Sequence, residues 1–594
     1  MDGLSCVSGP LDGDAALLRA PRAGPGLLQR RDGGARAPGP GPGAWDHLRG
    51  GGRWGRDRWG GMGRHPVASP DLPTSGGGRA GRALGRDRGH GGRVAMKRLG
   101  SWGAIVAGLL GLSALALYRL TIYPPTWFDE GSHLHVPKAL VRWGVYADYS
   151  SEGFRFHGPI LGVGPTVLLP IAGAFRIFGV GLWSARWVMA MFLLVTVCLF
   201  AAVARRWVPG IGAIFAVLWF VFARSADTLT YGRQVLGEVP GMAFLLIGML
   251  GWEGMWRNRP WGAGLAGLGF GLAGITKGPW WMFLIPALVG LSVAGRFYYR
   301  QPGWAGNLKA AGIALALGLA WQGMLWGLLN PNPLRDLQEL RQIAGGSVAV
   351  FPSPRMGATA RNLLTVFDGA FLPLFLYGAW RALERSPQGY RWGLVMAIVA
   401  LNLGWLVTAS NGWLRYAYPA LALLSLNAGD LLAVLRAREA QALQAAMGLW
   451  LAILLLGSAG IQVVRVLRHG DDAAFQMARY LQAHVPEDAL IETWEPEMGV
   501  LTDHRYHYPP QAFLDVASRF VWFGGPPPAR FYHWDEARPD YVLVGAFGRW
   551  VELYREVEER CPELTAAFGP YRLYRIATCA PQAEESEREG GERP

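Results

Sequence analysis

From residue 101 onward, the chain alternates apolar runs of about twenty residues with short charged connections, and such a run crosses a ~30 Å hydrocarbon core as one helix. The runs predict eleven spans, at 102–121, 182–204, 209–226, 237–256, 261–276, 279–296, 308–329, 363–380, 392–409, 414–434 and 444–464. Between the first two lies a polar stretch, 122–181, far longer than a connection between helices needs. Residues 133–143 have amphipathic spacing there, so short helices lying along the membrane surface are expected. After 465 the pattern changes. Residues 473–485 have helical spacing, 489–493 and 541–545 read as short strands, 547–560 as an amphipathic helix and 571–577 as a last strand.

Domain organisation follows. Residues 96–465 form a transmembrane domain with its outer loop at 122–181, 466–579 an α/β domain, and 580–594 a charged, disordered tail. Residues 1–95 are of another kind. They contain no Lys, Glu, Phe, Tyr, Ile or Asn, and Gly, Arg, Pro and Ala dominate. Such a segment cannot bury enough apolar surface to offset its ordering entropy. Two readings stand: a flexible basic arm, or a start of translation at Met96, where Lys97 and Arg98 precede the first apolar run.

Composition changes the picture in one respect. At 51% hydrophobic and 17% charged residues, with 27 Trp, a chain of 594 residues has too little charge to cover a soluble surface of that size. The net charge of +14 does not indicate nucleic acid, because no basic stripe is interleaved with aromatics on a soluble face. Much of the basic charge sits instead in 1–95 and in short loops between apolar runs. Lys97-Arg98, Arg205-Arg206, Arg257 with Arg259, Arg296 with Arg300 and Lys309, Arg381 with Arg385, and Arg436 with Arg438 mark one side. By the positive-inside bias this places the N-terminus in the cytoplasm and everything after about 465 outside it; the localisation expected is the plasma (inner) membrane, as a multi-pass protein.

The opposite side holds the candidate chemistry. Asp129 and Glu130 follow the first span, where adjacent carboxylates suit a base or a metal ligand as well as a solvated loop. His133 and His135 follow at helical distance, so the four could hold a divalent metal cation or belong to a plain surface helix. Arg233 and Glu238 flank the outer end of the fourth span. Lys277, one of only four lysines, lies between two spans, either snorkelling or as a point charge for a phosphate. Arg415 stands at the outer end of the tenth span. Cations gathered against the positive-inside trend suggest an anionic ligand such as a lipid phosphate.

The ordered set is a first span, Asp129-Glu130, a long loop with Phe156-His157-Gly158-Pro159, a span pair, Glu238-Val239-Pro240, Thr276-Lys277-Gly278-Pro279, and Arg415-Tyr416 before Pro419. It resembles the GT-C glycosyltransferases, in the superfamily of protein O-mannosyltransferases (glycosyltransferase family 39) and bacterial aminoarabinose transferases, over about 100–435. The resemblance implies a GT-C fold of about eleven transmembrane helices with a C-terminal extracytoplasmic α/β domain. It also implies transfer of a hexosyl or pentosyl unit from a polyprenyl-phosphate donor to an acceptor (protein, lipid or glycan) outside the cytoplasm. Asp129 would be the catalytic carboxylate, supported by Glu130. Glu238 and Lys277 match the family's acid and phosphate-facing lysine, with Arg233 and Arg415 as further cations. Where relatives carry Lys-Pro-Pro in the first loop this chain has His157-Gly158-Pro159, so His157 or Arg155 would take over the phosphate contact.

The rival class is a transporter or flippase of lipid-linked saccharides. Transporters place ionisable groups near the midplane; here they cluster at span ends, which favours an enzyme. Of four cysteines, Cys561 and Cys579 both fall in the part placed outside the cytoplasm, where they could form a bridge or stay as two thiols.

Overall fold

Apolar runs fold as helices because a helix satisfies every backbone N–H and C=O internally, as lipid requires. The computed structural model describes residues 106–156, 162–301, 303–436, 441–561 and 563–578. Each of the eleven predicted segments overlaps a helix, but not every helix is long enough to span. Among the described residues seven are: Leu182–Trp207, Glu238–Trp256, Gly278–Phe297, Trp304–Leu329, Pro387–Ala409, Leu414–Leu435 and a stretch within Gln444–His484. Helices Ile211–Phe222 and Gly262–Thr276 have 12 and 15 residues. At 1.5 Å per residue that is roughly 18 and 23 Å, short of the hydrocarbon thickness.

The segment expected as one straight span at 363–380 is a pair of helices, Met356–Gly369 and Phe371–Ala382, bent by 92°. Phe367, Asp368 and Gly369 take positive φ of 55°, 51° and 88° in succession, which no helix continues through. Counted as one span, the pair raises the total to eight. The tightest helix pair is Glu238–Trp256 against Gly262–Thr276. A Cβ on Gly269 would lie 2.2 Å from the backbone nitrogen of Gly248, so the two backbones touch, as small residues permit in membranes. Apolar side chains also point outward; Leu456 is 72% exposed, as a lipid-facing residue would be.

The loop 122–181 contains the helix Phe128–Trp143, an antiparallel hairpin of β1 (Asp148–Ser150) and β2 (Gly153–Arg155), and the helix Pro165–Phe178. The C-terminal part carries five strands: β3 (Leu490–Thr493), β4 (Arg505–His507), β5 (Tyr541–Val544), β6 (Leu564–Phe568) and β7 (Tyr571–Arg575). They form one sheet in the order β4-β3-β5-β7-β6, parallel across β4, β3 and β5 and antiparallel across β5, β7 and β6. The single helix expected at 547–560 is two short ones, Ala546–Trp550 and Arg555–Arg560, separated by Glu552 at φ 56°. Cys561 is disulfide-bonded and Cys198 is free; Cys579 lies outside the described residues.

This sheet region docks on the loop helix Phe128–Trp143. A Cβ on Gly131 would meet the backbone nitrogen of Glu497 at 2.3 Å, so only glycine lets the helix Pro496–Leu501 come that close. Lys138, buried, donates to the carbonyls of Gly499 (2.6 Å) and Thr502 (3.0 Å) and pairs with Asp503 at 2.7 Å. A cation on the last carbonyls of a helix offsets their partial negative charge.

Candidate active site

Four charged side chains from four distant segments meet at the end of the helix bundle. Asp129 is the second residue of the helix Phe128–Trp143, in the first turn, where the helix dipole favours a negative charge. Arg415 Nη1 lies 2.6 Å from Asp129 Oδ2, and Arg415 Nε lies 3.3 Å from Glu238 Oε1. Lys277 Nζ is 3.0 Å from the same Glu238 oxygen. The result is a chain of alternating charge, Asp129–Arg415–Glu238–Lys277, with Glu238, Lys277 and Arg415 buried.

Local sequence puts each group there. Pro279, in the short helical turn Gly278–Trp280, has no N–H to give to Ile275 and its ring would clash with that carbonyl, so a helix running in from Thr276 cannot continue through it. The helix Gly262–Thr276 stops at Lys277, which is extended (φ −136°, ψ 99°). Val163 pairs with Lys277 in an antiparallel bridge, and Gly164 N donates to Thr276 O at 3.0 Å, which holds the turn against the outer loop. Glu238 opens the helix Glu238–Trp256. Arg415 sits in a short turn where Asn411 Oδ1 accepts from Trp413 N at 3.0 Å, and its guanidinium lies 3.9 Å from the Trp413 ring centroid.

Burial alone would raise the Asp129 carboxyl, but the charge of Arg415 beside it, with that of Lys277, outweighs that and holds it below the usual carboxylate range. Asp129 is therefore an anion at neutral pH. Burial pushes the His133 imidazole down to about 4, so this ring is neutral, with Nδ1 2.8 Å from the Val235 carbonyl. A cavity of about 210 Å³ opens beside these groups, lined by Asp129, His133, Lys277 and Arg415 together with aromatic side chains. One wall comes from the C-terminal part, through Trp494, Tyr508, Trp522, Phe547 and Trp550. Sequence reasoning missed this wall. Its signal was the abundance of tryptophan outside the spans, since Trp favours places that are apolar on one side and wet on the other.

The other candidates are placed differently. Glu130 is fully buried and faces away from Asp129. Its Oε1 accepts from Arg186 Nε at 2.8 Å and from Val235 N at 3.0 Å, while Arg186 also donates to the carbonyls of Leu120 and Pro124. Arg233 donates to the carbonyls of Leu115, Tyr118 and Tyr123, closing the end of the first apolar segment, and does not line the cavity. Arg155 lines the cavity, paired with Asp148 at 2.7 Å. His157 lies outside the described residues. The four residues considered for a divalent cation do not fit one. His135 turns its two nitrogens to Asp148 Oδ1 and the Pro496 carbonyl, each at 2.7 Å, and Glu130 is committed to Arg186. Among the described residues no group of three or more His, Cys, Asp or Glu gathers as a metal site.

No protein-family model matches the chain, and no curated protein sequence matches it. Solved structures do. ArnT from Cupriavidus metallidurans, in a crystal structure bound to undecaprenyl phosphate, superimposes with a TM-score of 0.55 at 14% identity, covering 81% of this chain and 99% of that one. The apo structure of the same protein gives 0.56 at 13% identity, covering 82% and 100%. At this identity the likeness is one of fold: the chain is a multi-pass helical membrane protein with the GT-C architecture and a C-terminal sheet region.

Proposed function

We propose that this protein is a membrane glycosyltransferase that moves a sugar from a polyprenyl-phosphate donor to an acceptor hydroxyl on the extracytoplasmic side of the plasma membrane. The observation that carries the reading is the ionised Asp129, held by Arg415 at the edge of a cavity that also receives Lys277. A lipid-phosphate donor has an apolar tail and an anionic head, so its site must adjoin both bilayer and water; charged groups at span ends meet that need. The architecture shared with a protein crystallised with undecaprenyl phosphate supports the same donor chemistry.

In the proposed step the acceptor oxygen attacks the anomeric carbon and its proton passes to Asp129. The bond from that carbon to the phosphate oxygen breaks, and polyprenyl phosphate leaves with the electron pair. Without donor, the charges of Asp129, Arg415, Glu238 and Lys277 cancel. An arriving phosphate competes for Lys277 and Arg415, which loosens Arg415 from Asp129 and leaves that carboxylate to the acceptor. A general base of this kind is worth about 10²–10⁴-fold. Asp129→Asn, which removes the proton acceptor at almost constant volume, is expected to lower transfer from a polyprenyl-phosphate sugar by that factor while the protein inserts normally. Turnover near that of the unaltered protein would reject the assignment.

A further inference from the structure

Four indoles form a continuous arc around the cavity. Trp413 and Trp522 have ring centroids 6.0 Å apart, Trp522 and Trp550 6.3 Å, and Trp550 and Trp127 5.8 Å. All four line the cavity and all four are half-buried, so each keeps part of its ring open to whatever enters. The arc begins two residues before Arg415 and ends two residues before Asp129, the two groups that pair at 2.6 Å. It thus leaves the charged centre on the membrane side, runs through the C-terminal part, and returns to the charged centre on the loop side.

The four indoles are half-exposed, and two carry a guanidinium over the ring, Arg415 on Trp413 and Arg355 on Trp522, so the wall offers apolar ring faces with polar groups at their edges and suits a ligand of the same make-up. A lipid tail needs no such rings, and a phosphate is served by Lys277 and Arg415. A pyranose or furanose ring fits. Its C–H faces lie on indole, as apolar and weakly positive hydrogens do on the negative face of an aromatic ring. Its hydroxyls reach polar groups at the cavity wall such as Asn411 and Ser518. We infer that the arc Trp413–Trp522–Trp550–Trp127 is a saccharide-binding platform and that the acceptor is a carbohydrate, whose hydroxyl the arc delivers to Asp129. The donor's single sugar unit cannot cover four rings whose successive centroids lie 6.0, 6.3 and 5.8 Å apart, so the arc suits a longer saccharide, which on the glycosyltransferase reading is the acceptor.

Saturation-transfer difference NMR on the full chain in lipid nanodiscs tests it. The probes are neutral oligosaccharides of glucose, mannose, galactose and arabinose, a Ser/Thr-rich peptide, and undecaprenyl phosphate alone. At least one saccharide should receive saturation on its ring C–H protons. Trp522→Ala should weaken that binding roughly tenfold, about the worth of one stacked ring. Trp522→Phe, which keeps an aromatic face, should retain most of it, and neither variant should change undecaprenyl phosphate binding. No response from any saccharide, a response that survives in Trp522→Ala, or the peptide occupying the site instead would overturn the inference. Saccharide binding without any undecaprenyl phosphate binding would leave the platform standing and remove the transferase reading. Undecaprenyl phosphate binding together with the peptide, and no saccharide, in the cavity would do the reverse.

Discussion

Two neighbouring carboxylates, Asp129 and Glu130, have opposite fates. One is half-buried on the cavity, and the other is buried against Arg186. Glu130→Gln leaves the Arg186 guanidinium without its counter-charge, a loss of about 3–5 kcal/mol for a buried pair. It should lower the yield of folded protein and its thermal midpoint, and adding Arg186→Met should restore part of both. A normally stable but inactive Glu130→Gln would instead return Glu130 to the chemistry. The pH profile gives a second test. The Asp129 carboxyl is depressed, so the base form is present at all pH values above the ordinary carboxylate range and is lost only as pH falls through the depressed value. His133, pushed down to about 4, does not titrate near neutrality. The ratio kcat/KM, which reports the protein before a phosphate draws Arg415 away, should therefore show no limb between pH 5 and 7. A limb with an apparent pKa near 6.5 would mean that an ordinary histidine controls the step. The sequence made Asp129, Glu238, Lys277 and Arg415 legible as candidates because charge at a span end is costly without a purpose. It did not separate Glu130 and Arg233 from them, since their partners are Arg186 and backbone carbonyls that only the fold brings near.

Between elements, the decisive contact is the helix Phe128–Trp143 on the helix Pro496–Leu501. Gly131 allows it, because a methyl group there would stand 2.3 Å from Glu497 N. Gly131→Ala must push the two helices apart and carry Asp129, two residues away, out of reach of Arg415. The expected cost is about 1–3 kcal/mol, the usual range for overpacking, with a loss of transfer larger than the loss of stability. Equal activity and thermal midpoint in Gly131→Ala would show that the contact yields freely. Apolar runs made the helices legible, and their limits agree with the structure to a few residues at 237–256 and 261–276. The right-angle bend at 367–369 and the break at Glu552 were not legible, because each rests on positive φ at non-glycine residues that surrounding packing imposes.

For the whole molecule, the charge bias places Arg257 and Glu487 on opposite sides of the membrane, and both positions are exposed. Cysteines introduced at each should differ with a membrane-impermeant thiol reagent in intact cells: Glu487→Cys labelled, Arg257→Cys protected. The opposite pattern would invert the topology and move the cavity to the cytoplasmic face. The docking contacts of Lys138 also set a timetable. Its carbonyl partner at Gly499 is 361 residues further along the chain. A ribosome adding 5–20 residues per second needs roughly 20–70 s to cover that distance. Through that interval the loop helix is already made but has nothing to pack on, and the cavity has one wall missing. A nascent chain therefore passes much of its biogenesis as an inserted but incomplete bundle, exposed to proteases, until the sheet region arrives to close it.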